Sequence, residues 1–245
     1  VIKTKYLWAF AFLASIILIS LSFKMITAEK KPSLHYLVRQ PKIQTNKTPL
    51  VILMHGVGSN EQNMFSFADA LPDNFLVVSA RGPLTLRPDS YAWFQAQILP
   101  DRSIINEEQA ENSRKEIIQF IDDLKNVEDF DEEQVYLMGF SQGGIMSYSV
   151  ALTEPEKIKG IAVMSGRLLS EVKPLIVSDE RLKKLNIFVS HGTHDSVLKF
   201  GYATDAVAYL HSKGLQSEFH QYPEDHTINQ KMLGDVVNWL SNQSK

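Results

Sequence analysis

"QVYLMGFSQGG", Gln134–Gly144, runs from an apolar strand-like segment straight into a serine set between glycines. A strand that gives way to a helix at Gln142 needs a sharp turn between the two, and Ser141 occupies its apex. Side chains two residues before and two after such an apex would collide with neighbouring backbone, and Gly139 and Gly143 stand at those positions. G-x-S-x-G is a short string that carries little information alone. Between a strand and a helix it describes an elbow that presents the serine hydroxyl at the end of a sheet. The competing reading is a glycine-rich turn that cradles a phosphate at a helix N-terminus. This stretch lacks the lysine of a P-loop and has the wrong spacing for a dinucleotide fingerprint.

Outward from the elbow, short apolar runs alternate with longer amphipathic segments, the pattern of a parallel sheet flanked by helices. "PLVILMHG" and "NFLVVSA" read as strands on either side of a helical "EQNMFSFADAL". Neither strand alternates polar with apolar residues, so both of its faces should be covered. Ile117, Ile121 and Leu124 recur at helical spacing between Ile104 and Asn126 and should face the sheet. The elbow helix should end near Pro155, followed by strands "IKGIAVMSG" and "NIFVSHG", a helix over Lys199–Ser212 and strand "SEFHQY". Gly214 reads as a helix stop, and Thr227 with Gln230 as a capping box before the last helix. The expectation is a mostly parallel central sheet with helices on both faces and no large lid, in one catalytic domain over residues 29–245.

A serine hydroxyl is a weak nucleophile at neutral pH and needs a histidine base held by a carboxylate. On a sheet of this kind the acid and then the histidine follow the serine in the chain. "SHGTHDSV" places Asp195 just past a strand end, where an open parallel sheet builds its site, and "PEDHTI" places His226 in the loop before the last helix. His191 and His194 share the loop of the acid, His220 lies within a strand, and His211 lies near a helix end, so His226 is the preferred base. Asp225 is too close in sequence to bend back to the His226 ring, and Asp205 falls inside a helix. In "MHGVGSN" the loop after an early strand should supply one oxyanion donor from the Val57 N–H, with Gln142, the residue after the nucleophile, supplying the other. His55 is expected to brace that loop by a hydrogen bond.

Composition narrows the partners. A net charge of −3 without a basic block gives no electrostatic footprint for nucleic acid. The lack of cysteine excludes disulfides, thiol nucleophiles and thiolate metal sites. "YLWAFAFLASIILISLSF", Tyr6–Phe23, is an uncharged run behind Lys3 and Lys5, the layout of a signal peptide or signal anchor over residues 1–28. At about 1.5 Å per residue it just reaches across a hydrocarbon core, which favours a retained anchor, while "ITA" before Glu29 offers a cleavage site. Export is therefore expected. The catalytic domain would lie outside the cytoplasm, either anchored to the membrane or released to the periplasm or medium.

"HGVGSN", "RGP", "YAWF", "GFSQGG", "HGTHDSV" and "DHTI" occur in this order over nearly all the chain after Leu34. Together they resemble the phospholipase/carboxylesterase family of α/β hydrolases, which includes acyl-protein thioesterases. The resemblance implies an α/β-hydrolase fold, triad roles for Ser141, Asp195 and His226, and an oxyanion hole at Val57 and Gln142. It also implies that the long Arg81–Ser103 stretch lines the acyl pocket, with Trp93 and Phe94 near the serine. Two residues depart from the family pattern: Asp225, where Gly commonly precedes the histidine, and Leu198, where Pro often follows the acid motif. The implied activity is hydrolysis of short or medium acyl esters through an acyl-enzyme, with a small-molecule ester as substrate and no metal or organic cofactor. A thioesterase, a lysophospholipase or a peptidase is reachable with the same three residues. A rival of another class is an inactive, membrane-tethered binding protein on the same scaffold.

Overall fold

β2 (Leu50–Met54) shows how the sheet is built, because Leu50, Ile52 and Met54 enter one apolar cluster and Val51 and Leu53 the other. Side chains of a strand alternate between faces, so a continuous apolar run requires both faces to be packed. The computed structural model describes residues 31–98 and 103–243. The N-terminal run Tyr6–Phe23, on which the export expectation rests, lies outside the described residues, and within them no helix is long and apolar enough to cross a membrane. Residues Pro32–Lys245 form one compact unit.

Seven strands make the main sheet. β1 (Tyr36–Arg39) pairs antiparallel with β3 (Leu76–Ala80), and the rest run parallel. Spatially the order is β1, β3, β2, β8 (Val135–Phe140), β9 (Gly160–Met164), β10 (Asn186–Gly192) and β11 (Ser217–Tyr222). α1 (Glu61–Phe65) and α6 (Gln230–Gln243) cover one face through Met64, Met232, Val236 and Trp239. α2 (Glu107–Leu124), α3 (Gln142–Ala151) and α5 (Gly201–Ser212) cover the other, with Ile117, Ile121 and Leu124 buried there as their spacing requires. A one-turn helix, α4 (Asp179–Leu182), adds Leu182 to that face. This is the mostly parallel sheet with helices on both faces that the sequence pattern implied, and the α/β-hydrolase architecture that the resemblance implied.

Several local expectations are corrected. The helical reading of "EQNMFSFADAL" yields only α1 and a 3₁₀ turn at Ala68–Ala70. The segment read from Ile104 becomes helical only at Glu107, after Asn106, whose side chain caps α2 by accepting the Gln109 N–H at 3.0 Å. The elbow helix ends at Ala151, close to Pro155 as expected, and Pro155 opens a separate 3₁₀ turn. The predicted Thr227 cap is replaced by Asn229, whose Oδ1 accepts the Met232 N–H at 2.7 Å, since α6 starts later than the capping-box pattern suggested. The Arg81–Ser103 stretch, expected as one long loop, carries two antiparallel ribbons instead: β4 (Leu84–Arg87) with β5 (Ser90–Ala92), and β6 (Ala96–Ile98) with β7 (Ser103–Ile105).

Candidate active site

Ser141 sits at the turn from β8 to α3 with φ 53° and ψ −115°, a left-handed conformation unusual for a residue with a side chain. Strain of this kind costs about 1–3 kcal/mol and persists only where the surroundings enforce it. They do so here by close approach. A Cβ on Gly143 would lie 2.0 Å from the Met54 carbonyl oxygen of β2, and one on Gly139 would lie 2.2 Å from Gly143 backbone. The Ser141 N–H donates to Met164 O at 2.9 Å, which anchors the turn to β9.

Parallel pairing brings the carboxyl ends of β2, β8 and β10 to the same edge, and the loops beyond them meet at Ser141. His226 Nε2 lies 2.9 Å from Ser141 Oγ, and His226 Nδ1 lies 2.7 Å from Asp195 Oδ2. A carboxylate can only accept, so the His226 proton sits on Nδ1 and Nε2 is left to accept from the serine hydroxyl. Asp195 is itself held: its Oδ1 accepts the N–H groups of Val197 at 2.9 Å and Leu198 at 2.7 Å. Burial alone would raise its pKa. The hydrogen bonds from His191, His226 and the Leu198 N–H outweigh burial and hold the carboxyl well below the usual carboxylate range.

The other histidines take different places. His191 is buried beside the acid, with Nε2 donating to Leu198 O at 2.7 Å and lying 3.2 Å from Asp195 Oδ2. It is not positioned on Ser141 Oγ, which His226 engages. His194 and His211 are exposed, and His220 pairs with Glu218 at 2.8 Å. His55 is buried, its Nδ1 bonded to Gly56 O at 2.8 Å and its Nε2 accepting the Gly82 N–H at 2.9 Å, which is the loop brace expected of it. Burial lowers its pKa further than the Gly56 bond raises it, favouring the neutral ring.

Around Ser141 lies an open cavity of about 490 Å³, in the range of small-molecule sites. Its walls are Val57, Met64, Phe67, Phe140, Val197 and Ile228, with Gly56, Ser59, Asn63 and Thr227 completing the lining beside Ser141 and His226. No Lys, Arg, Asp or Glu among the described residues lines it. Trp93 and Phe94 do not line it either, which corrects the expectation drawn from the resemblance. Both are buried in the core, on the segment between β5 and β6. Val57, by contrast, is 47 % exposed at the cavity mouth, and residue 56 packs so closely that a Cβ there would be 3.2 Å from Ser141 Cβ. Among the described residues, the N–H groups of Val57 and Gln142 donate to no other group.

Two features of the site escaped sequence reasoning. Asp225 Oδ1 accepts the Ser196 N–H at 2.7 Å, the Ser196 hydroxyl at 2.8 Å and the His226 N–H at 2.7 Å, tying the acid loop to the histidine loop. Its adjacency to His226, which argued against an acid role, was the available signal. The Arg81 guanidinium grips the buried Glu61 carboxylate through Nε at 2.8 Å and Nη2 at 2.5 Å, fixing the start of α1 beside the cavity. Nothing local in the sequence pairs those two residues.

A mostly parallel sheet that carries a serine, a histidine and an aspartate linked by hydrogen bonds at its carboxyl edge sets the chain in the class of α/β hydrolases. Within that class the chain belongs to the phospholipase/carboxylesterase family, whose profile matches residues 38–244. Among its relatives, carboxylesterase SOBER1 of Arabidopsis thaliana is 29% identical over 80% of this chain and 90% of its own. Acyl-protein thioesterase 1 of Mycosarcoma maydis is 27% identical over 83% of this chain and 95% of its own. The crystal structure of esterase PE8 superposes with a TM-score of 0.70 at 26% identity, covering 85% of this chain and 98% of the esterase.

Proposed function

We propose that this chain is a serine carboxylesterase that hydrolyses esters of short or medium acyl chains through an acyl-enzyme. The observation that carries this reading is the chain of contacts from Ser141 Oγ to His226 Nε2 at 2.9 Å and from His226 Nδ1 to Asp195 Oδ2 at 2.7 Å. As Ser141 Oγ bonds to the ester carbonyl carbon, His226 Nε2 takes the hydroxyl proton and Asp195 stabilises the resulting imidazolium. The carbonyl electron pair moves onto oxygen, where the N–H groups of Val57 and Gln142 receive the negative charge. Collapse of this intermediate expels the alcohol, which leaves with the proton from Nε2. Water then gives a proton to Nε2 and attacks the acyl-enzyme, and the acid product departs as Ser141 recovers its proton.

The apolar, open walls of the cavity support a hydrocarbon acyl group. Its lack of Lys and Arg among the described residues favours neutral esters over lysophospholipids, whose phosphate would call for a cation. A thioester substrate is the second reading, favoured by the similarity to a protein named as an acyl-protein thioesterase. The same attack expels a thiol as readily as an alcohol. Export, with anchoring through Tyr6–Phe23 or release after cleavage, is part of the proposal and rests on that run behind Lys3 and Lys5. Membrane fractionation with protease accessibility tests it, and residence in the soluble cytosol would refute it.

Hydrolysis of p-nitrophenyl acetate, butyrate and octanoate by the full chain and by Ser141→Ala tests the chemistry. The variant should lose on the order of 10⁶ in kcat. Near-normal activity in Ser141→Ala would end the proposal, and a matching S-acyl thioester series separates the two substrate readings.

A further inference from the structure

We infer that Trp93 is a positioning residue that braces both oxyanion donors, acting on Val57 through His55 and on Gln142 through that residue's own side chain. The inference rests on the donor roles proposed above for Val57 and Gln142.

The first arm runs through one peptide plane. Gly56 C=O and Val57 N–H belong to the same trans unit and point in opposite directions, so whatever fixes the Gly56 oxygen aims the Val57 N–H. That oxygen accepts from His55 Nδ1 at 2.8 Å and from the Ser59 N–H at 3.2 Å. The His55 tautomer is forced: the Gly82 N–H can only donate, so Nε2 must accept it at 2.9 Å and the proton must sit on Nδ1. Trp93 holds the backbone of this histidine, its Nε1–H donating to His55 O at 2.9 Å, with the two rings 5.7 Å apart.

The second arm starts from the backbone of the same tryptophan. The Trp93 N–H donates to Gln142 Oε1 at 2.9 Å, and Gln142 Nε2 donates to Phe94 O at 2.6 Å. Both polar ends of the Gln142 side chain are thereby locked to the segment that also grips His55. Gln142, His55 and Trp93 are all buried, so these bonds do not compete with water. The Ser113 hydroxyl, bonded to Trp93 O, ties the segment to α2. Two donors carried on loops after β2 and β8 are thus referred to one fixed point, and an oxyanion hole is effective only when its donors are preorganised.

Trp93→Phe keeps an aromatic ring and deletes the Nε1–H, and Gln142→Met keeps side-chain length and deletes both amide bonds. For each, with an aliphatic p-nitrophenyl ester, kcat should fall about tenfold or more while KM stays within about twofold, the mark of an interaction made in the transition state. Affinity for an aliphatic trifluoromethyl ketone, which forms an oxyanion adduct with the serine, should weaken by the same factor. The double variant should lose less than the product of the single losses, because both arms share one anchor. If Gln142→Met does not fold, as judged by circular dichroism, Trp93→Phe with the ketone decides the Val57 arm and Gln142→Glu, which loses the Nε2–H bond to Phe94 O, decides the Gln142 arm. Unchanged kcat in folded Trp93→Phe, or a fall in kcat without a matching loss of ketone affinity, overturns the inference while leaving the esterase proposal standing. Activity that survives Ser141→Ala, or a wild type that turns over no ester, overturns the esterase proposal and this inference with it.

Discussion

Replacing Asp195 with asparagine probes the hydrogen-bonded chain at the site with almost no change in shape. In the wild type, Oδ1 takes the N–H groups of Val197 and Leu198 at 2.9 and 2.7 Å, while Oδ2 lies 2.7 Å from His226 Nδ1. The new amide can keep its oxygen on the two backbone donors only by turning its NH₂ toward His226. The opposite orientation would set an NH₂ against two N–H groups, losing two hydrogen bonds at about 1.5–3 kcal/mol each to a formerly charged acceptor. The first orientation therefore prevails. An NH₂ facing Nδ1 makes that nitrogen an acceptor, which moves the ring proton to Nε2 and leaves Ser141 Oγ facing a donor that cannot take its proton. Loss of the productive tautomer in triads of this geometry costs about 10⁴ in kcat, or on the order of 5 kcal/mol of barrier. Steady-state hydrolysis of p-nitrophenyl butyrate by the purified full chain measures it, with circular dichroism verifying the fold. A fall of less than about tenfold would show that Asp195 does not set the imidazole tautomer.

Three further outcomes follow from the same geometry. Gly143→Ala would drive a Cβ to 2.0 Å from Met54 O and 2.5 Å from Met54 C, sheet backbone that cannot yield, so its urea midpoint should drop by the equivalent of about 3 kcal/mol or more; an unshifted midpoint would contradict the elbow packing. The Asp195 carboxyl lies below its unfolded value of about 3.9, so its stabilisation is complete above that pH and is lost as pH falls toward the folded value. The thermal-midpoint gap between wild type and Asp195→Asn should accordingly be widest near neutrality and close below about pH 4, and a pH-independent gap would refute this. Asp225→Ala removes the acceptor shared by Ser196 and His226 and should lower kcat about tenfold, whereas Asp225→Asn, which keeps Oδ1, should stay within about threefold; equal losses in both variants would mean that charge, not the bridge, matters.

The fold and the residues that meet at the site were legible for reasons that can be named. Continuous apolar runs such as Leu50–Met54 report strands buried on both faces, and the Ser141 elbow writes its geometry into Gly139 and Gly143 because no side chain fits there. Strand ends at a common edge then leave Asp195 and His226 as the residues able to reach the serine. Short elements were less legible. β1 joins the sheet antiparallel with a mixed pattern of exposure, and the ribbons within Arg81–Ser103 are held by cross-strand pairing that no local periodicity announces. Trp93 shows the limit most clearly. The family resemblance implied a pocket wall, but its role depends on what Nε1–H and the backbone N–H meet in three dimensions, namely His55 O and Gln142 Oε1.

The most direct test of the central claim is to treat the full chain with an alkyl fluorophosphonate and locate the adduct by intact mass and peptide mapping. The proposed chemistry predicts one equivalent of adduct, on Ser141, with ester hydrolysis lost in step with labelling. Failure of the folded protein to label, or labelling at another residue while hydrolysis continues, would contradict it.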